Sequence, residues 1–114
     1  MLRPCLADLH VHTVVSPCAE VEMIPPLIVR QALRIGLGLL AVTDHNTCRN
    51  AGAMLAAAQG TDLVILPGME LQTREEVHLL CLFATLSLTL THCAFSLPSL
   101  PAHYAFPLQK TLGL

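Results

Sequence analysis

Apolar and polar positions follow two different rhythms along the first 83 residues. Residues 6–12 are an apolar run in which Asp8, His10 and His12 recur at every second position. A strand alternates faces with period 2, so it would present these three on one face and Leu9 and Val11 on the other. The run reads as a buried strand, and Ser16-Pro17 marks the loop after it. The rhythm then changes. Ile28, Ala32 and Ile35 stand at i, i+4 and i+7, with Arg30, Gln31 and Arg34 on a polar arc, which predicts a helix over 26–35. Pro25-Pro26 suits its first turn and Gly36 its end. Residues 38–43 are continuously apolar up to Thr43, as expected of a strand covered on both faces. An alanine-rich helix is predicted over 49–59, closed by Gly60. Residues 62–66 read as a third strand with the tip Pro67-Gly68-Met69-Glu70, residues 73–76 as a turn, and residues 77–83 as a fourth strand carrying His78.

This order, βαβαββ, predicts an α/β fold of about four parallel-type strands and two helices. Barrels and doubly wound sheets place their sites at the C-terminal ends of strands. The pairs His10/His12 and Asp44/His45, and then Glu70, each fall where a predicted strand gives way to a loop. Three separate strands thus direct ligand-type side chains to one rim. Mixed imidazole and carboxylate donors suit divalent ions such as zinc, manganese or iron. A carboxylate between two cations offsets their repulsion. Water bound to such ions is acidified into a nucleophile, and the ions stabilise charge on phosphate oxygens, so hydrolysis of a phosphate ester is the natural reaction.

Composition narrows the reading. With 6 Lys and Arg against 8 Asp and Glu, the chain has no basic excess to attract nucleic acid. The five cysteines are odd in number, widely spaced and form no Cys-x-x-Cys pair. No secretory signal is recognisable before the first strand. Free thiols in a reducing cytoplasm are therefore expected.

Asp8-Leu9-His10-Val11-His12-Thr13, Thr43-Asp44-His45-Asn46, Pro67-Gly68-Met69-Glu70 and Glu76-Val77-His78 resemble, in that order and spacing, the PHP (polymerase and histidinol phosphatase) domain family. The resemblance covers residues 7–83. It implies a metal-dependent phosphoesterase on a distorted seven-stranded β/α barrel with two or three divalent ions, zinc, manganese or iron. By position, it implies that His10 and His12 ligate one ion and His45 a second. Glu70 would bridge ions and His78 would ligate a third. The loop after His12 supplies a further ligand in that family. Here Cys18 is the candidate ahead of Glu20, and a thiolate departs from the commoner Asp or His. Asp8 and Asp44 are expected to orient imidazoles without binding metal. The implied substrate is a small phosphorylated metabolite or a nucleotide.

The same resemblance exposes a mismatch. A seven-stranded barrel needs more strands than this chain predicts, and the Asp-x-His motif that completes the family's site has no counterpart. From residue 84 on, Leu, Ser, Thr and Pro mix without helical or strand-length order, and no Asp, Glu, Lys or Arg occurs between Glu76 and Lys110. Residues 1–83 are therefore expected to form the N-terminal part of the phosphoesterase domain. Residues 84–114 are expected to be a poorly packed tail produced by truncation or a reading-frame change. A membrane span over 77–97 is the lesser expectation, since two histidines and several Ser and Thr interrupt it. Three functions stay open: a phosphoesterase portion, a non-catalytic metal-binding or regulatory module, and a fragment without function.

Overall fold

The computed structural model describes residues 1–73 and 75–99. Four strands and three helices follow one another as β1 (Leu6–Val11), α1 (Pro25–Arg34), β2 (Leu37–Val42), α2 (Ala51–Ala58), β3 (Val64–Gln72), β4 (His78–Leu82) and α3 (Leu86–Ser99). The strands lie in the order β1-β2-β3-β4. The first three are parallel, and a helix lies in each connection, as parallel neighbours need. The result is an α/β half-barrel.

The helices form where the periodicity places them. Pro25 and Pro26 occupy the first turn of α1, and Ile28, Val29 and Ala32 are buried. Gly36 takes a φ of +82°, the left-handed turn that ends such a helix at no steric cost. On α2 the buried stripe is Ala51, Met54 and Ala58. These stripes meet Leu40 and Val42 of β2 and Ile65 of β3 in one core that also holds Val11, Cys48 and Leu63.

Four features depart from the sequence reading. First, β1 is an edge strand: Leu6 and Leu9 are exposed and only Val11 is buried. The described residues place no strand on its far side, so its apolar composition overstates its burial. Second, β3 runs on past Pro67-Gly68 to Gln72. Residues 64–67 pair parallel with β2, and residues 68–72 pair antiparallel with β4. Pro67 sits at the changeover of partners, where its carbonyl accepts the Phe83 N–H at 2.9 Å. Third, β4 is antiparallel, not parallel. Only residues 73–77 link it to β3, too few for a parallel crossover. Fourth, a helix occupies Leu86–Ser99, where none is predicted. Among its described side chains Thr89 is buried and Leu86 and Cys93 are partly buried against the core, a helical spacing hidden because one of the three is a threonine. The Thr89 hydroxyl donates to the carbonyl of Thr85 at 2.9 Å, which satisfies it inside the fold. The rest of the expected tail, His103 included, lies outside the described residues. Among those described, no helix is long and apolar enough to cross a membrane.

Candidate metal centre

Three backbone segments bring the polar strand tips together. Beyond β2, Asp44 to Asn46 continue alongside β3: Glu70 N–H donates to the Asp44 carbonyl and Asn46 N–H to the Glu70 carbonyl, both at 2.9 Å. Asn46 adopts a φ of +49°, a conformation Asn tolerates better than most residues. Its side-chain oxygen accepts Gln72 N–H at 2.9 Å. His45 is thereby set beside Glu70 as a parallel bridge. On the other side of β3, the antiparallel register pairs Gln72 with His78. A bulge between Asp8 and Val11 in β1 shifts the register there, next to His10.

Glu70 is the centre of what results. Its side chain is 3% exposed. Its Oε2 lies 2.9 Å from His10 Nε2, 3.0 Å from His12 Nε2 and 3.5 Å from His45 Nδ1. Its Oε1 lies 2.6 Å from His78 Nδ1. Four imidazoles from β1, its following residue, the β2 tip and β4 thus surround one buried carboxylate. Burial raises the Glu70 carboxyl pKa, but hydrogen bonds from His10 and His78 outweigh it and hold the group below its ordinary value. For His12, burial and the neighbouring His45 lower the imidazole pKa despite the pull of Glu70. The fold therefore keeps the carboxylate ionised and His12 neutral, the protonation states a divalent cation needs.

A hydroxyl network holds the imidazoles from behind. Buried Asp44 accepts three hydrogen bonds: Thr13 N–H at 2.6 Å, the Thr13 hydroxyl at 2.7 Å and the Ser16 hydroxyl at 2.6 Å. Ser16 Oγ in turn accepts His45 backbone N–H at 3.1 Å and lies 3.3 Å from His12 Nδ1. Since the Ser16 proton points to Asp44, His12 donates through Nδ1, which leaves the Nε2 lone pair facing Glu70 and His10. Asp44 thus acts on His12 through Ser16, a link the sequence reading lacks. Asp8 stands differently. Its carboxylate accepts the His10 backbone N–H at 3.1 Å and so fixes the strand, not a ring.

The donor set fits a cation. His10 Nε2 and His12 Nε2 face each other at 3.1 Å, a contact that is favourable only with a proton or cation between the lone pairs. Ligands around a tetrahedral zinc ion, at about 2.0–2.1 Å from it, stand roughly 3.3 Å apart. The separations around Glu70 Oε2 lie close to that edge. Among the described residues three donor triads have ligand atoms within 4.8 Å of one another: His10, His12 and Glu70; His45, Glu70 and His78; and His12, Cys18 and His45. All the residues expected as ligands are gathered, Cys18 among them. Glu20 lines the same 340 Å³ cavity as His10, His12 and Cys18 but joins no triad. His92 stacks on Phe83 instead, with ring centroids 4.8 Å apart.

No curated protein matches the chain significantly. Among solved structures it is similar to a protein from Bifidobacterium adolescentis assigned as a metal-dependent phosphoesterase. The two share 32% sequence identity at a TM-score of 0.53, over 68% of this chain and 27% of that one. The chain therefore spans about a quarter of that relative's length. The family model of the PHP domain matches residues 8–98, a span that contains most of β1, all of β2 to β4, nearly all of α3 and every residue of the three triads. By that match the chain belongs to the PHP domain family.

Proposed function

We propose that the strand-tip cluster binds two or three divalent ions, of the zinc, manganese or iron class, and serves the hydrolysis of phosphate esters. One observation carries this reading: a buried carboxylate, Glu70, with ring nitrogens of four histidines 2.6–3.5 Å from its oxygens. When bound, the ions supply an acidified water and stabilise charge on the phosphate oxygens. The chain's own part is to hold donors. His10, His12, His45 and His78 would offer imidazole lone pairs and Glu70 its carboxylate to such ions, and the Asp44–Ser16 pair holds the tautomer of His12. Similarity to a metal-dependent phosphoesterase supports the reaction class. A small phosphorylated metabolite or nucleotide is the proposed substrate. The five free thiols support a reducing cytoplasm as its setting.

The test is hydrolysis of p-nitrophenyl phosphate by the purified chain with manganese or zinc, compared with His10→Ala. Activity that is metal-dependent and lost in the variant supports the proposal; an inactive parent chain with ions bound contradicts the catalytic part. A second reading, metal binding without hydrolysis, is favoured by the exposure of one flank of the cluster. The His10 and His78 side chains are 47% and 40% exposed, so that flank of the cluster is open to solvent.

A further inference from the structure

The third triad differs from the other two in chemistry. His10, His12 and Glu70, like His45, Glu70 and His78, offer only nitrogen and oxygen. His12, Cys18 and His45 offer two imidazoles and a sulfur, with ligand atoms within 4.8 Å of one another. The loop that carries Cys18 is held in place by its backbone. Ser16 N–H donates to the Thr13 carbonyl at 2.9 Å, Ala19 N–H to the Ser16 carbonyl at 3.1 Å, and Val14 N–H to the Met23 carbonyl at 2.7 Å. Ser16 Oγ touches both the His12 ring and the His45 backbone, so the hydroxyl that anchors the loop also anchors the two imidazoles. Their rings stack with centroids 4.5 Å apart and planes 15° apart. Cys18 is exposed, whereas Cys48 is buried in the core, and Cys81 and Cys93 are partly covered.

We infer that Cys18 is a thiolate ligand that makes one position of the centre selective for a thiophilic ion, zinc or iron(II), against manganese and magnesium. This inference rests on the metal reading above and adds the identity of the ion to it. Thiolate donors favour zinc-like ions, while manganese and magnesium prefer oxygen. The thiol passes its proton to solvent as the ion binds, so the sulfur joins as an anion and adds one negative charge beside two neutral imidazoles. That charge comes in addition to the carboxylate of Glu70. A serine or carboxylate at position 18 would replace sulfur by oxygen beside the two imidazoles and weaken the preference.

Cobalt(II) tests this without any assay of activity. The purified full chain, held reduced with a non-coordinating phosphine, is titrated with cobalt(II), and the absorption spectrum is compared with those of Cys18→Ser and Cys5→Ser, circular dichroism confirming the fold of each. The parent and Cys5→Ser are expected to show sulfur-to-cobalt charge-transfer absorption in the near ultraviolet. Cys18→Ser is expected to lose it while keeping the weaker visible bands of imidazole-bound cobalt. In competition, Cys18→Ser should lower the zinc-over-manganese preference by at least the roughly 10-fold that even a supporting contact costs. Cobalt bound without a charge-transfer band, or a band that survives in Cys18→Ser, overturns the thiolate inference and leaves the metal reading standing. A parent chain that binds no cobalt overturns both.

Discussion

The Ser16 hydroxyl donates to Asp44 Oδ1 across 2.6 Å, and the same oxygen lies 3.3 Å from His12 Nδ1. One small side chain thereby connects a buried carboxylate to an imidazole of the candidate centre. Ser16→Ala cuts that connection without adding bulk. It removes the Ser16 oxygen that accepts the His45 N–H and leaves Asp44 with two donors where it had three. The loss in stability should be about 1–3 kcal/mol, the cost of an unsatisfied buried group. Metal affinity should fall about 10–100-fold, because His12 loses the partner that sets its tautomer. Denaturant unfolding and zinc competition measure the two effects separately. Unchanged zinc affinity would show that the network only supports the loop.

A methyl group at Gly68 would overlap the carbonyl oxygen of Cys81 and press on that of Val42, 3.3 Å away. Both neighbours are backbone atoms within the sheet, so neither can turn aside. Gly68→Ala is therefore expected to destabilise the fold toward the upper end of the about 1–3 kcal/mol typical of overpacking. Gly60→Ala meets no atom within 4 Å. Its cost should come only from its φ of +78°. A Gly68→Ala protein as stable as the parent in urea would contradict the close approach of β3 and β4.

Acid should destabilise the metal-free chain through two groups with the same sign. The His12 pKa is lowered in the fold from 6.5, so as pH falls through 6.5 the unfolded chain takes up a proton first and gains on the folded one. The Glu70 pKa is lowered from 4.5, so its stabilisation is present above 4.5 and is lost as pH falls through the folded value. The melting temperature in chelator should therefore drop as pH falls below about 6.5, and drop further below 4.5. A melting temperature that rises on acidification from pH 7 to pH 5 would contradict the arrangement. Acid should also release bound metal, since protons compete for the same imidazoles.

Much of the fold is legible in the sequence because apolar periodicity survives in the packing. Ile28 and Ala32 on α1 are core residues as their spacing predicts, whereas Ile35, the third of that stripe, caps the helix and is exposed; Leu40 and Val42 are buried within the apolar run of β2. What stays hidden has physical causes. Pro67-Gly68 reads as a break, yet it marks only the point where β3 changes partners. A threonine at the buried position 89 breaks the apolar rhythm of α3, although its hydroxyl is satisfied by the carbonyl of Thr85, just ahead of the helix. The site is legible in its histidines and in Glu70, whose residue types carry chemistry wherever they stand. Ser16 and Thr13 are not, because loop serines and threonines are common and only the three-dimensional fold brings them to Asp44.

The thiols should divide by burial. Burial, together with the neighbouring Cys48, pushes the Cys93 thiol up to about 12, and burial alone raises Cys81. The Cys93 sulfur lies 3.5 Å from Met69 Sδ within the fold. At pH 7.5, native protein treated with iodoacetamide should modify exposed Cys5 and Cys18 well before Cys48 and Cys93. Peptide mass spectrometry over time gives the order. Rapid labelling of Cys93 ahead of Cys18 would show that α3 does not pack on the core.

The central claim is that Glu70 gathers the imidazoles around divalent metal, and zinc titration of the parent chain against Glu70→Gln tests it most directly. Glutamine keeps the shape of the side chain and removes the charge. Isothermal calorimetry at pH 7.5, with the fold of both proteins verified by circular dichroism, should show tight zinc binding by the parent. In Glu70→Gln the affinity should fall by about 100-fold or more, beyond the loss expected for a supporting contact. Equal zinc affinity in the two folded proteins, or no binding by the parent, would contradict a metal centre built on Glu70.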